Sequence, residues 1–156
     1  MLTKKEFVRL AQLYMDAVFR LAFSYLKNRS DADDVTQTVL LRLYETDKTF
    51  ECDAHVKNWL LRVTANECKK HWRSPWGRME CYEDVAGGLI FEDQRYSDLF
   101  QAIMALERKY RTVIILYYYE GYTVAEISRI LGIPQGTVGT RMRRAREQLK
   151  QYLLEV

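Results

Sequence analysis

The feature that most constrains this chain is the stretch of residues 122–152, which predicts a helix, a tight turn and a second helix. Thr123, followed three residues later by Glu126, has the pattern of a capping box, in which two side chains satisfy free N–H groups at a helix start. Gly132 is a natural helix end, and Pro134 cannot continue that helix but suits the opening of the next. The turn is about three residues long, as a helix-turn-helix requires.

The second helix of this motif has one apolar side and one basic side. At about 100° per residue, its apolar residues fall in one stripe that we expect to pack on the first helix. These residues are Val138, Met142, Ala145, Leu149 and Leu153. The other side and its flanks carry Gln135, Thr137, Thr140, Arg141, Arg143, Arg144 and Arg146. Arginine and threonine can contact base edges and phosphates, so this side is a candidate DNA-binding face. For the arginines alone, a solvated basic face is the alternative.

Composition and the loss of helical periodicity in one central segment divide the chain into two parts. Residues 75–95 are rich in glycine and acidic residues and keep no regular period, which is typical of a linker. Helical periodicity precedes and follows them. The predicted fold class is therefore all-α, with two small helical domains, residues 1–74 and 96–156, joined by an irregular acidic linker. The C-terminal domain contains the helix-turn-helix.

The N-terminal domain should hold three helices. The first spans residues 5–26, and the second begins with Ser30 or Asp31 as its cap. Its first turn should hold Asp31, Asp33 and Asp34, and its exposed side Asp33, Asp34, Gln37, Thr38 and Arg42. The third begins near Ala54 and turns Val56, Trp59, Leu60, Val63 and Thr64 inward.

The far half of that third helix mixes basic residues with an aromatic one. Its residues are Asn66, Lys69, Lys70, His71, Trp72 and Arg73. Cations can follow a nucleic-acid backbone while an aromatic ring stacks on unpaired bases. This half is therefore a candidate for binding single-stranded nucleic acid, with a tryptophan buried in the core as the alternative.

The sequence gives no sign of secretion, membrane insertion or catalysis. Its start lacks the pattern of a signal peptide, and its longest apolar run, residues 113–119, is too short to cross a bilayer. We therefore expect a cytoplasmic protein. The odd number of cysteines, Cys52, Cys68 and Cys81, does not suggest a disulfide framework. There is no nucleotide-binding glycine loop and no hydrolase motif, so we expect neither a cofactor nor enzymatic activity.

Two pairs of cysteine and histidine could in principle supply zinc ligands. They are Cys52 with His55 and Cys68 with His71. The pairs lie near opposite ends of the predicted third helix, about 20 Å apart. We therefore expect no metal site, and a thiol or zinc sensor is kept only as an alternative.

Three segments in this order resemble an extracytoplasmic-function sigma factor of the bacterial sigma-70 family. They are 31–39 (DADDVTQTV), 59–63 (WLLRV) followed by Asn66, and the block containing 119–123 (YEGYT), 136–138 (GTV) and 144–146 (RAR). The resemblance covers nearly the whole chain. Gly139 departs from the pattern, because a basic residue is common there.

The resemblance implies roles for the residues named above. Core RNA polymerase would bind Asp33, Asp34, Gln37, Thr38 and Arg42. The −10 promoter element, opened as a single strand, would meet Phe50, His55, Asn66, Lys69, Trp72 and Arg73. The helix from Gln135 would read the −35 element as duplex. An anti-sigma factor is a further expected partner. A stand-alone helix-turn-helix regulator is the alternative that would need no polymerase.

Overall fold

The computed structural model describes residues 1–73 and 97–155, and it contains helices but no strand in that part of the chain. The helices are α1 (Lys4–Leu26), α2 (Arg29–Glu45), α3 (Asp53–Arg73), α4 (Ser97–Ala105), α5 (Arg108–Ile114), α6 (Val124–Leu131) and α7 (Gln135–Glu155). A π-helical turn, Ile115–Tyr119, continues α5. The chain forms two compact units, one within residues 1–80 and one within residues 81–156.

The all-α prediction with two small helical domains is confirmed. The predicted linker, residues 75–95, lies outside the described residues. None of the helices in the described part of the chain combines the length and the apolar character needed to span a bilayer.

Local capping explains where α1 begins and ends and where α2 begins. Thr3 accepts a hydrogen bond from the N–H of Glu6 at 3.2 Å and so caps α1. Lys27 ends α1 in the left-handed region, with φ 48°. The cap of α2 is Asn28, whose side chain accepts from the N–H of Asp31 at 3.1 Å. The prediction of Ser30 or Asp31 as the cap is wrong, because Asn28 offers the same acceptor two to three residues earlier.

This earlier start moves the acidic residues along α2. Asp31 stays in the first turn, where the helix dipole favours a negative charge. Asp33 and Asp34 lie beyond that turn, contrary to the prediction. Both remain exposed.

The first unit is a three-helix core. α1 buries a long apolar face that includes Leu10, Val18, Leu21, Ala22, Phe23 and Leu26. α2 contributes Ala32, Val35, Val39 and Leu43, and α3 contributes Val56, Leu60, Leu61, Ala65 and Cys68. Trp59 and Val63, predicted to point inward, are only half-buried at the flank of α3. Buried Thr36 and Thr64 each donate to the carbonyl four residues earlier at 2.7 Å, so neither hydroxyl is left unsatisfied.

The second unit packs α4, α5 and α6 on α7. Its core includes Ile103, Met104, Val113, Ile114, Ile127, Leu131, Val138 and Met142. Arg111 is also buried there, and its Nη1 donates to the carbonyl of Leu106 at 2.8 Å. In the π-helical turn the N–H of Glu120 donates to the carbonyl of Ile115, five residues earlier, at 3.2 Å.

The helix-turn-helix forms as its sequence predicts. The hydroxyl of Thr123 accepts from the N–H of Glu126 at 3.2 Å, and the carboxylate of Glu126 accepts from the N–H of Thr123 at 3.1 Å. Gly132 ends α6 in the left-handed region, with φ 69°. In the turn, the hydroxyl of Ser128 donates to the carbonyl of Ile133. These bonds fix the orientation of α7 relative to α6.

Candidate nucleic-acid and partner interfaces

The face of α7 opposite the core carries the residues predicted to bind duplex DNA. Val138, Met142, Ala145 and Leu149 are buried as predicted, which orients the helix. Gln135, Arg143, Arg144 and Arg146 are exposed, whereas Thr137, Thr140 and Arg141 are half-buried. Leu153 was expected in the buried stripe but is 41% exposed. Its neighbours Tyr152 and Leu154 are exposed too, so the last turn of α7 extends past the described core.

Arg146 has contacts that the sequence did not indicate. Its Nε donates to the phenol oxygen of Tyr118 at 2.9 Å. Its guanidinium carbon lies 5.4 Å from the ring centroid of Tyr117 and 5.8 Å from that of Tyr118. The two rings meet edge to face, with centroids 4.9 Å apart. The π-helical turn thus presents an exposed tyrosine pair that holds one arginine of α7.

A groove runs along the other flank of α7, with a volume of about 340 Å³. It is lined by Lys109, Tyr110, Gly136, Thr137, Thr140, Arg141 and Arg144. Lys109 and Tyr110 belong to α5, so this groove joins two helices that lie far apart in the sequence. Helical periodicity could not indicate this proximity, because it depends on how α5 packs against α7.

The exposed side of α2 carries all the predicted polymerase-binding residues. Asp33, Asp34, Gln37, Thr38 and Arg42 are exposed. Arg42 also forms an ion pair with Glu67 of α3, which ties this surface to the next helix. Leu41 and Tyr44 are exposed on α2 as well, although both are apolar. The sequence pattern does not predict that Leu41 is exposed, because an apolar residue in a helix is more often part of the core.

The residues predicted to bind a single strand lie before and along α3. Phe50 is half-buried and packs edge to face on Trp59, with ring centroids 5.6 Å apart. His55 and Asn66 are exposed, and Lys69 is half-buried. The side chains of Trp72 and Arg73 lie outside the described residues. Phe50 and His55 therefore sit at the start of α3, while Asn66 and Lys69 lie about three to four turns further along.

An ion pair holds the start of α3 against α1. The two terminal guanidinium nitrogens of Arg9, Nη1 and Nη2, donate to the carboxylate of Asp53, at 2.8 and 3.1 Å. These hydrogen bonds hold the pKa of Asp53 below its usual value and raise the pKa of Arg9. Beside the pair is a cavity of about 350 Å³, lined by the start of α1 and by residues 48–53, including Phe50 and Cys52. The ion pair thus fixes the segment that carries Phe50.

The cysteine and histidine pairs do not form a metal site within residues 1–73 and 97–155. No group of three His, Cys, Asp or Glu side chains in these ranges is arranged to hold a metal ion. Cys68 is buried in the core, whereas Cys52 is exposed before α3, about 24 Å away along the helix. Nε2 of His71 lies 3.3 Å from the carboxylate of Asp31. Cys81 lies outside the described residues.

The fold and these surfaces define a class of two-domain helical proteins with a helix-turn-helix in the second domain. The family model for Sigma-70 region 2 matches residues 10–78, and the model for Sigma-70, region 4 matches residues 96–149. The chain is 30% identical to the ECF RNA polymerase sigma factor SigW of Bacillus subtilis (strain 168), over 96% of this chain and 90% of that protein. It is 29% identical to the RNA polymerase sigma-E factor of Streptomyces coelicolor, over 96% of this chain and 85% of that protein.

Solved structures share the fold. The sigma factor RpoE from Bartonella quintana, in complex with the anti-sigma factor NepR, matches with a TM-score of 0.71. That match has 22% sequence identity and covers 96% of this chain and 97% of RpoE. CnrH, in complex with the cytosolic domain of CnrY, matches with a TM-score of 0.65 at 22% identity, over 97% of this chain and 89% of CnrH.

The chain belongs to the sigma-70 family and is an extracytoplasmic-function RNA polymerase sigma factor. It acts in transcription initiation. The relatives match both domains and do not favour a stand-alone helix-turn-helix regulator or a thiol or zinc sensor.

Proposed function

We propose that the two domains of this sigma factor bind different partners. Residues 1–74 bind core RNA polymerase and the −10 element, and residues 96–156 bind the −35 element. The observation that carries the proposal is the exposed acidic and polar surface of α2, which a regulator acting through its helix-turn-helix alone would not need. In this proposal the chain catalyses nothing and directs the chemistry of the polymerase to chosen promoters.

The polymerase-binding surface in this proposal is the exposed side of α2, with Asp33, Asp34, Gln37, Thr38 and Arg42. It offers two carboxylates, an amide and a hydroxyl without making them part of the core. Charged groups on such a surface would steer association with a basic partner surface and would align the two partners. Exposed Leu41 would add apolar area at its centre.

The −10 strand would bind at residues 50–55 and along α3. The supporting observation is the pairing of half-buried Phe50 with Trp59, which fixes an aromatic group beside an open cavity. A ring held in this way can stack on an unpaired base at low entropic cost. Asn66, Lys69, Trp72 and Arg73 would follow the strand further along the same helix.

The −35 duplex would meet α7. The capping box and the left-handed Gly132 fix the approach of this helix, and its exposed residues include those suited to base edges. Gln135, Thr137, Thr140, Arg143 and Arg144 would contact bases or phosphates. For Arg141 and Arg146, which lie on the flanks, we propose phosphate contacts.

We also infer a regulatory partner and a cellular compartment. An anti-sigma factor that covers the α2 surface would compete with core polymerase, and the solved complex of RpoE with NepR gives a precedent from a protein of the same fold. Since core RNA polymerase acts in the cytoplasm, the proposed function places this chain there.

The test is retention on purified core RNA polymerase. The double variant Asp33→Arg, Gln37→Ala changes two exposed side chains on α2 and should fold normally. We expect the wild type to be retained and the double variant to be lost. A matched control, Asp16→Arg, makes the same charge reversal at an exposed position of α1 and should be retained. Equal retention of the wild type and the double variant would refute the proposal that the exposed side of α2 binds core polymerase. If the wild type itself were not retained, the proposed polymerase binding would be refuted.

A further inference from the structure

The groove between α5 and α7 brings together positive groups from two helices. Lys109 comes from the first turn of α5, and Arg141 and Arg144 come from α7. Thr137, Arg141 and Arg144 follow one another at spacings of four and three residues, so they share one side of α7. Lys109 faces that side across the groove. From the sequence, the residues expected to contact the −35 duplex were all in α7.

The groove has the chemistry of an anion site. Its described lining contains three cations and the two hydroxyls of Thr137 and Thr140, and no carboxylate. The ammonium of Lys109 lies 5.2 Å from the ring centroid of buried Tyr110, which supports the side chain from below. Lys109 forms an ion pair with Glu107 at 3.7 Å, and the side chain of Glu107 is 71% exposed. A pair so exposed to solvent is weak, so the lysine can exchange this partner for a phosphate.

The position of Lys109 decides which part of a duplex it could reach. When a recognition helix lies in the major groove, its outer face meets base edges and the groups beside it meet the sugar-phosphate walls. Lys109 is on a separate helix beside α7, so the wall is the part of the duplex within its reach. A phosphate carries the charge that this lining complements.

We propose that Lys109, with Arg141 and Thr137, binds one backbone phosphate of the −35 duplex from the flank of α7. This inference rests on the proposed −35 binding by α7 and adds a contact from outside the helix-turn-helix. The contact holds the duplex against α5 as well as α7, which sets the tilt of the recognition helix in the groove. Lys109 is therefore a positioning residue that carries no base preference of its own.

The experiment uses holoenzyme, assembled from core polymerase and the full chain, and duplex DNA. The probe is selected from a pool of randomised duplexes by binding to the wild-type holoenzyme. Each phosphate contact on B-DNA contributes a slope of about −0.9 to the plot of log affinity against log salt. We expect Lys109→Gln to reduce the steepness of that slope by about 0.9 and to weaken binding about eightfold at roughly 0.1 M salt.

Two further measurements separate a phosphate contact from a structural effect. Replacing single phosphates of the probe by neutral methylphosphonates should reveal one position at which the replacement weakens binding of the wild type more than binding of Lys109→Gln, which retains only the contacts of Arg141 and Thr137. Glu107→Gln removes the competing carboxylate and should strengthen binding, by up to about fivefold. Lys5→Gln makes the same charge change at an exposed residue of the other domain and should leave affinity for the probe unchanged.

The outcomes distinguish this inference from the proposed function. If Lys109→Gln keeps the wild-type slope and affinity while Arg144→Ala weakens binding, the phosphate contact is refuted and −35 binding by α7 stands. A loss in Lys109→Gln that differs between two selected duplexes would also refute it, since a phosphate contact acts on all sequences alike. If the wild-type holoenzyme selects no duplex at all, the proposed −35 binding fails.

Discussion

Removing the hydroxyl of Thr123 should destabilise the second domain by about 1 kcal/mol. That hydroxyl accepts from the N–H of Glu126 at 3.2 Å and donates to its carboxylate at 3.0 Å. In Thr123→Ala the N–H of Glu126 loses its partner, and loss of such a cap costs about 0.5–2 kcal/mol. Thr123→Ser keeps the hydroxyl and should cost only a few tenths of a kcal/mol.

The reciprocal bond makes the effect non-additive. The carboxylate of Glu126 accepts from the N–H of Thr123 at 3.1 Å, so Glu126→Ala removes the other half of the box. Because the two side chains also bond to each other, the double variant should cost less than the sum of the single variants, by about 0.5 kcal/mol or more.

Hydrogen exchange is the assay that isolates this domain. The tryptophans, Trp59, Trp72 and Trp76, all precede residue 97, so their fluorescence reports on other parts of the chain. Amides of residues 124–149 exchange through opening of the second domain, and a loss of 1 kcal/mol raises their exchange rate about fivefold. Unchanged protection in Thr123→Ala, or an equal loss in Thr123→Ser, would refute the capping argument.

Three other perturbations test the packing, the ion pair and the turn. Leu60→Ala, at a side chain with no exposed area, should destabilise the first domain by about 2–5 kcal/mol in urea unfolding followed by tryptophan fluorescence. The exposed control Leu41→Ala should change the same quantity by less than about 0.5 kcal/mol. The bonds from Arg9 lower the pKa of Asp53 in the folded state. The pair therefore stabilises the folded first domain at pH values above the ordinary carboxyl pKa of about 4, and this contribution is lost as the pH falls through the pKa of Asp53 in the folded state. Asp53→Asn should therefore flatten the acid side of the stability profile, and an identical profile would contradict the ion pair. Gly132→Ala forces a Cβ into a left-handed backbone and should cost about 1–2 kcal/mol of second-domain stability by hydrogen exchange; no cost would show that the turn relaxes.

Local chemistry made much of the fold predictable. The capping pair Thr123 and Glu126, and the glycine at 132, act within a few residues of one another, so the sequence alone specifies the helix-turn-helix. The cap of α2 was missed because Asn28, Ser30 and Asp31 all offer suitable acceptors, and the choice depends on where the chain leaves α1. Leu153 was wrongly predicted to be buried because periodicity shows which side of a helix a residue lies on, but it cannot show how far along the helix the neighbouring helices extend.

The candidate interfaces were predictable to the extent that they lie on one helix. The exposure of the predicted residues on α2 follows from the burial of Val35, Val39 and Leu43 on the opposite side. Contacts between helices were not predictable in this way. The bond from Arg146 to Tyr118, and the groove that Lys109 and Arg141 both line, involve residues about 30 positions apart, and they depend on how the helices pack.

The π-helical turn Ile115–Tyr119 has a consequence for changes in chain length. A π turn contains one residue more than an α turn between the same hydrogen-bonded ends, so it is equivalent to an α-helix with one inserted residue. Deleting one residue there would let the backbone return to α-helical bonding, whereas a deletion in the buried α5 would displace core side chains. The deletion would also remove or rotate the tyrosine pair that holds Arg146. Loss of a single codon in this turn should therefore leave a folded domain in which Arg146 of the recognition helix no longer contacts the tyrosine pair.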